Sequence, residues 1–198
     1  MSPLPNKGNV KPAKVLVLHS GGIDSTACLA YHLNRGAQVR ALFIDFGQLA
    51  ARQEAKASRR VCRHYNVPLD TLRYSNHETK FKDGLILGRN AFFLFAALTY
   101  LPSRSGLICY GAHAGTGYYD CSPQFVRSTR RIIQAYSQGA VDLSVPFLKF
   151  SKRQVVEYGR AAGAPLAATY SCERGGAKPC RHCATCRALQ QIGFNASA

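Results

Sequence analysis

Val15-Leu16-Val17-Leu18-His19-Ser20-Gly21-Gly22-Ile23-Asp24-Ser25-Thr26 is the stretch on which the reading of the chain turns. An apolar run is followed by two glycines and then by a helical pattern through Asn34. The order is strand, tight turn, helix start. Two glycines allow positive φ and a close approach of backbone to an anion. The first turn of the next helix adds unpaired N–H groups and the positive end of its dipole. Ser20, Ser25 and Thr26 supply hydroxyl donors. Asp24 is out of place beside phosphate unless a Mg²⁺ ion accompanies it or it caps the helix. For two glycines alone, an ordinary capped turn is the plainer alternative. The six residues Ser20 to Ser25 together are far more specific.

From this turn onward the chain alternates. Strands are expected at 15–19, 39–44, 69–74, 107–110 and 141–145. Helices are expected at about 24–35, 49–65, 91–101, 123–137 and 152–162, with Gly36 ending the first and Ser151 capping the last. The helix at 91–101 is apolar all round and is expected to be covered on most sides. Alternation of this kind specifies an α/β fold, a five-stranded parallel sheet flanked by helices with right-handed crossovers. Residues 1–13 read as a polar lead-in, 14–168 as the nucleotide-binding domain and 169–198 as a cysteine-bearing tail. Two further stretches sit where strands end. Asp45-Phe46-Gly47-Gln48 follows the second strand, and a glycine-rich loop runs from Gly111 to Cys121, while a polar loop from Ser75 leads to Gly88-Arg89-Asn90.

In the tail, Cys172, Cys180, Cys183 and Cys186 form C-x7-C-x2-C-x2-C. Four thiolates suit tetrahedral Zn²⁺, and the same ligands also suit an iron–sulfur cluster. Arg174, Lys178, Arg181 and Arg187 would offset the negative charge of a tetrathiolate site. Cys28, Cys62 and Cys109 fall on apolar stretches and read as core, and Cys121 lies in the glycine-rich loop. The length of 198 residues suits one domain with a small appendage. No apolar run is long enough to span a bilayer, and the first residues lack the apolar segment of a secretory signal. A cytoplasmic protein without a membrane partner is expected. With 26 Lys plus Arg against 10 Asp plus Glu, the net charge is +16. Such a chain attracts polyanions, including nucleic acid and acidic protein surfaces. Charge alone assigns no reaction.

The ordered set resembles a known family. Ser20-Gly21-Gly22-Ile23-Asp24-Ser25 is similar to the SGGxDS loop of the PP-loop ATP pyrophosphatases, enzymes with a Rossmann-like sheet. Within them the chain resembles the 7-cyano-7-deazaguanine synthase (QueC) family. Besides that loop, the resemblance rests on Phe43-Ile44-Asp45-Phe46-Gly47-Gln48, on Gly88-Arg89-Asn90 and on Gly111-Ala112-His113-Ala114. Tyr118-Tyr119-Asp120-Cys121 and Thr169-Tyr170-Ser171-Cys172, with the cysteines after it, complete the set. It implies ATP, Mg²⁺ and Zn²⁺ as cofactors, and a deazaguanine carboxylate and ammonia as substrates. The carboxylate would be adenylylated, then converted through an amide to a nitrile.

Leu18, His19, Ser20, Gly21, Gly22, Ile23, Asp24, Ser25, Thr26, Asp45, Gln48, Gly88 and Asn90 would hold the nucleotide. Asp24, Ser25, Arg89 and Asp120 would serve the chemistry, and the four tail cysteines a structural zinc. Relatives in the family are commonly homodimers. Departures fall at Leu49, Ala50, Gln53, Gly115, Thr116 and Tyr119, all on the side expected to face the substrate. They keep a second reading open, in which the same adenylate chemistry joins a deazapurine to a protein or nucleic acid. A PP-loop tRNA-modifying enzyme and a non-enzymatic zinc module remain further alternatives.

Overall fold

A computed structural model describes residues 12–74, 86–101 and 104–194. Most of the lead-in, the polar loop beginning at Ser75 and the last four residues lie outside the described residues.

Five strands form one parallel sheet: β1 Lys14–Leu18, β2 Gln38–Asp45, β3 Leu69–Arg73, β4 Gly106–Cys109 and β5 Val141–Ser144, in the order β3-β2-β1-β4-β5. At its centre Val17 lies beside Ala41 of β2 and Cys109 of β4. The strand order reverses between β1 and β4, and in sheets of this kind ligands bind at the carboxyl ends of the strands at such a switch point. Alternation of side chains along β1 and β2 divides the core. Leu16, Leu42 and Ile44 face one layer, with Leu94 and Ile133. Val15, Val17, Val39 and Ala41 face the other, with Ala27, Val61 and Val155.

The helices are α1 Ile23–Leu33, α2 Ala51–His64, α3 Arg89–Leu98, α4 Pro123–Tyr136, α5 Lys152–Ala161 and α6 Ala184–Gln191. All five expected strands and the first five helices are present, with ends shifted by at most three residues. Helix α2 starts later than expected. Leu49 lies before it, 58% exposed, and the buried side chains are Ala57, Ser58, Val61 and Cys62. Helix α4 is capped by Ser122, whose Oγ accepts from Phe125 N, with Pro123 as its first residue. A reciprocal Ser151–Gln154 capping box starts α5.

Two expectations are corrected. Helix α3 fully buries only Leu94 and Ala97, and Phe92 stays 43% exposed, because one face meets the sheet and the other borders a shallow apolar groove against Ile132 and Tyr136 of α4. The cysteine tail is more than a loop, since it ends in α6. Leu189 of α6 and Phe194 pack with Ile23, Val156 and Leu166 and so lock the tail onto α1 and α5. No helix among the described residues is long and apolar enough to cross a membrane.

Candidate active site

The turn after β1 is shaped by what touches it. Gly21 has φ +77, and a Cβ there would lie 2.6 Å from the Glu54 carbonyl oxygen and 2.7 Å from Ser58 N. Only glycine lets the turn lie this close to α2. On the opposite side Gly111 presses its backbone against Asp24, where a Cβ would come within 3.0 Å. From the tail, Tyr170 N donates to Gly21 O at 2.9 Å. The turn is therefore clamped by α2, by the loop after β4 and by the tail.

Inside it the hydroxyls are connected. Ser25 Oγ donates to Gly22 O at 3.1 Å and lies 3.3 Å from Ser20 Oγ and 3.1 Å from His19 Nδ1. Ser58 Oγ donates to the His19 carbonyl at 2.8 Å. Burial lowers the pKa of His19 to about 3, so its imidazole is neutral. His19 Nε2 and Thr26 Oγ1 are buried without a hydrogen-bond partner. Gly22 is the N-cap of α1 and makes no side-chain cap bond, so Asp24 is not the capping residue. Ile23, Asp24 and Ser25 form the first turn, whose N–H groups point out of the helix end.

Asp24 has a partner that its neighbours in sequence do not reveal. Lys152 Nζ, on the first residue of α5, donates to both carboxylate oxygens at 2.7 and 2.8 Å. His113 Nε2 stands 3.9 Å from Asp24 Oδ2. His113 Nδ1 donates to its neighbour's carbonyl, Ala114 O, at 2.7 Å. These three groups bridge the segments that follow β1, β4 and β5. A lysine at the first position of a helix opposes the dipole, and that local conflict is the signal by which Lys152 could have been found.

On the β2 side the expected residues order one another. Asp45 Oδ1 accepts from Gly47 N at 3.1 Å, and Gln48 Oε1 accepts from Phe46 N at 2.9 Å. Gln48 Nε2 donates to Glu54 Oε2 at 2.7 Å. Glu54 was not among the expected site residues. Burial raises its pKa, opposed by the Gln48 bond and by the charge of Arg89. Gly88, at φ +74, turns the chain into α3. It sets Arg89 over the Phe46 ring, its guanidinium carbon 5.8 Å from the centroid and its Nε buried without a partner. Asn90 Nδ2 donates to Asp120 Oδ2 at 2.7 Å, and Tyr110 OH to the Asp120 carbonyl at 3.1 Å. Asn90 and Asp120 thus hold the 111–121 loop to α3 through each other. Burial also raises the pKa of Cys121, which keeps it a thiol.

Between these elements and the tail lies a cavity of about 400 Å³, lined by Phe46, Gln48, Glu54, Arg89, Arg174 and Arg187 among others. It offers an aromatic face, the carboxyl groups of Glu54 and Glu173 and three guanidinium groups.

The four expected metal ligands converge. Sulfur atoms of Cys172, Cys180, Cys183 and Cys186 all lie within 4.8 Å of one another. Backbone N–H groups of Cys180, Cys183 and Cys186 donate to the sulfurs of Cys172, Cys180 and Cys183 at 3.4, 3.3 and 3.4 Å. Metal–sulfur bonds of about 2.3 Å place tetrahedral thiolates roughly 3.8 Å apart. The tetrad fits a single tetrahedral ion. A four-iron cluster would hold its thiolates wider, because each binds a different iron.

Comparison with known proteins agrees with this geometry. The family model for "Queuosine biosynthesis protein QueC" matches residues 14–82 and 73–197. A 7-cyano-7-deazaguanine synthase of Pseudoalteromonas translucida is 30% identical, covering 88% of this chain and 90% of its own. The 7-cyano-7-deazaguanine synthase 2 of Desulfitobacterium hafniense is also 30% identical, over 91% and 88%. Among solved structures, the U34-tRNA thiolase NcsA from Methanococcus maripaludis superimposes with a TM-score of 0.57 at 13% identity, over 85% of this chain and 63% of its own. A 4-thiouridine synthetase superimposes with a TM-score of 0.51 at 19% identity, over 91% and 50%. These two likenesses show the fold. Taken with the clamped loop after β1 and the cysteine tetrad, the family match over nearly the whole described chain shows that the protein belongs to the QueC family and is an ATP-using enzyme of the PP-loop pyrophosphatase kind.

Proposed function

We propose that the protein makes 7-cyano-7-deazaguanine from 7-carboxy-7-deazaguanine, ammonia and ATP. The observation that carries the reading is the intact 20–26 loop, clamped from three sides, in a chain 30% identical over most of its length to synthases of that name. In the first half-reaction a carboxylate oxygen attacks the α-phosphorus of ATP, and pyrophosphate leaves. The α1 N-terminus and the hydroxyls of Ser20, Ser25 and Thr26 receive the negative charge of that leaving group. Lys152 is near enough to share it. Asp24, with Lys152 released, would hold Mg²⁺ among the phosphates, where the ion neutralises charge.

The nitrogen of ammonia then attacks the acyl carbon. AMP leaves, a proton is lost and a primary amide remains. In the second half-reaction the amide oxygen attacks another ATP and expels pyrophosphate, and loss of AMP and the remaining nitrogen protons gives the nitrile. Arg89, whose Nε has no partner in its buried position, is suited to the substrate carboxylate or the α-phosphate. Phe46 and Glu54 are suited to the heterocycle. Cys172, Cys180, Cys183 and Cys186 would hold zinc in a closed shell that supports the fold.

The test is product analysis by mass spectrometry, using zinc-loaded protein with ATP, ammonium and 7-carboxy-7-deazaguanine. Nitrile together with AMP and pyrophosphate is the expected result. ATP cleavage that yields only amide, or only a conjugate with an added macromolecule, would overturn it.

A further inference from the structure

Helix α2 carries a face that the small-molecule chemistry does not use. At 3.6 residues per turn, Arg52, Lys56, Arg59, Arg60 and Arg63 fall within an arc of about 100° and along about 16 Å of helix. All five are exposed, on the side opposite the buried Ala57, Ser58, Val61 and Cys62. The one acid of α2, Glu54, is turned inward to Gln48. Among the described residues none of the five cations stands in an ion pair. Three like-charge pairs at i and i+4 follow: Arg52 with Lys56, Lys56 with Arg60, and Arg59 with Arg63. Such spacing disfavours a helix, whereas a solvated face without a partner usually mixes the signs.

The stripe continues onto the tail. Arg60 donates to the Ala168 carbonyl at 3.0 Å, and the Gly175 backbone lies against Leu49 and Ala50, at the start of α2. There Lys178 and Arg181 are exposed, and so are Arg174 and Arg187, which also line the cavity. The acid of the described tail, Glu173, is occupied by Thr185, whose N and Oγ1 donate to it at 3.1 and 2.6 Å. Seven of the nine cations are arginines, the side chain best shaped for phosphate. Of the exposed large apolar side chains, only Leu49 borders this face, and the others lie on or beside β3, α3, α4 and the 111–121 loop. Protein interfaces need an apolar centre, whereas nucleic-acid interfaces are polar and strongly positive.

We propose that the outer face of α2 and the adjoining tail form a binding surface for the phosphate backbone of a nucleic acid, without base readout. The proposal is independent of which small molecule the enzyme converts. It is tested on the full chain by fluorescence anisotropy with labelled RNA and DNA oligonucleotides of about 20 nucleotides, single-stranded and duplex, over a series of salt concentrations.

Affinity should be indifferent to sequence and should fall steeply with salt, with a log–log slope of about −4. R52E/R59E/R63E should weaken binding at least about tenfold at low salt. R127E/R131E/R153E, of equal net charge on α4 and α5, should weaken it less than about threefold. Circular dichroism and thermal melting check that each variant folds, and R52Q/R59Q/R63Q serves if the reversed set does not. Equal losses in the two triple variants, or no binding at low salt, would overturn the proposal. Displacement of the oligonucleotide by poly-glutamate at equal charge concentration would overturn it in favour of an acidic protein partner.

Discussion

Lys152 grips Asp24 with both carboxylate oxygens within 2.8 Å of its ammonium group, and so joins the start of α5 to the start of α1. The two residues are 128 positions apart in the chain. Asp24 lies in the phosphate loop yet is neutralised by a lysine in this structure. A carboxylate beside ATP has to be paired either with a metal ion or with a cation of the protein. Lys152 does the pairing here, and in the proposed reaction Mg²⁺ with ATP would take over Asp24 and free the lysine toward the phosphates.

Replacing Lys152 by Met should lower the rate of pyrophosphate release by about 10²- to 10³-fold, the range found for loss of one preorganised donor to developing negative charge. Asp24→Asn should weaken the dependence on Mg²⁺. The double variant should lose less than the sum of the two, because each single change leaves the other charge unpaired. Additive losses measured by pyrophosphate release would show that the pair does not act as a unit.

Gly21→Ala should be among the most damaging single substitutions. The position needs φ +77, and the added methyl would meet the Glu54 carbonyl at 2.6 Å. Positive φ alone costs a non-glycine residue about 1–3 kcal/mol. The variant should melt several degrees lower and bind no ATP. Gly115→Ala is the control. It also has positive φ but has nothing within 4 Å, so it should lose stability and retain nucleotide binding.

These relationships mark where sequence reading reaches its limit. Strand, glycine turn and helix were legible because Val15 to Thr26 carry local signals, a short apolar run, two glycines and a hydroxyl-rich helix start. The caps at Ser151 and Gly36 and the cysteine tetrad were legible for the same reason. The Lys152 to Asp24 pair, and the Tyr170 N–H that holds Gly21, exist only after the sheet brings distant segments together. Helix α6 was hidden because the cysteine spacing dominated its short stretch. Glu54 looked like one more charged helix residue, and only the tilt of α2 against Gly21 turns it inward. The all-round apolar pattern of α3 implied cover on most sides, but α3 packs on β1 and β4 through one face, and its other face is left to the shallow groove against α4.

His19 should make stability depend on pH. Its folded pKa lies near 3 because of burial, against 6.5 for a free imidazole. Between those values the unfolded chain binds a proton that the folded chain refuses. Stability is therefore fully present above pH 6.5 and falls as pH drops toward 3, by up to about 1.4 kcal/mol per pH unit. Urea unfolding of wild type and His19→Asn at pH 7, 6 and 5 should show a slope smaller by one proton in the variant. Parallel curves would mean that His19 does not carry the dependence.

The cysteine tetrad should act on nucleotide binding as well as on stability. Cys183 is both a member of the candidate metal-binding tetrad and the N-cap of α6, its Sγ accepting from Cys186 N. The same tail supplies the Tyr170 N–H to the Gly21 carbonyl and the Gly175 backbone over Leu49. Without a metal the four thiols lose their common centre, and the segment that presses on the phosphate loop loosens. Cys183→Ala, or treatment with a strong chelator, should remove one equivalent of zinc and lower the melting temperature. It should also raise the KM for ATP about tenfold, roughly 1.4 kcal/mol of binding. A metal-free protein that melts lower but keeps its KM would show that the tail supports the fold without ordering the loop. After chelation of the wild-type protein, restoring zinc should return both quantities together, because the tail contacts, Tyr170 to Gly21 foremost, connect them.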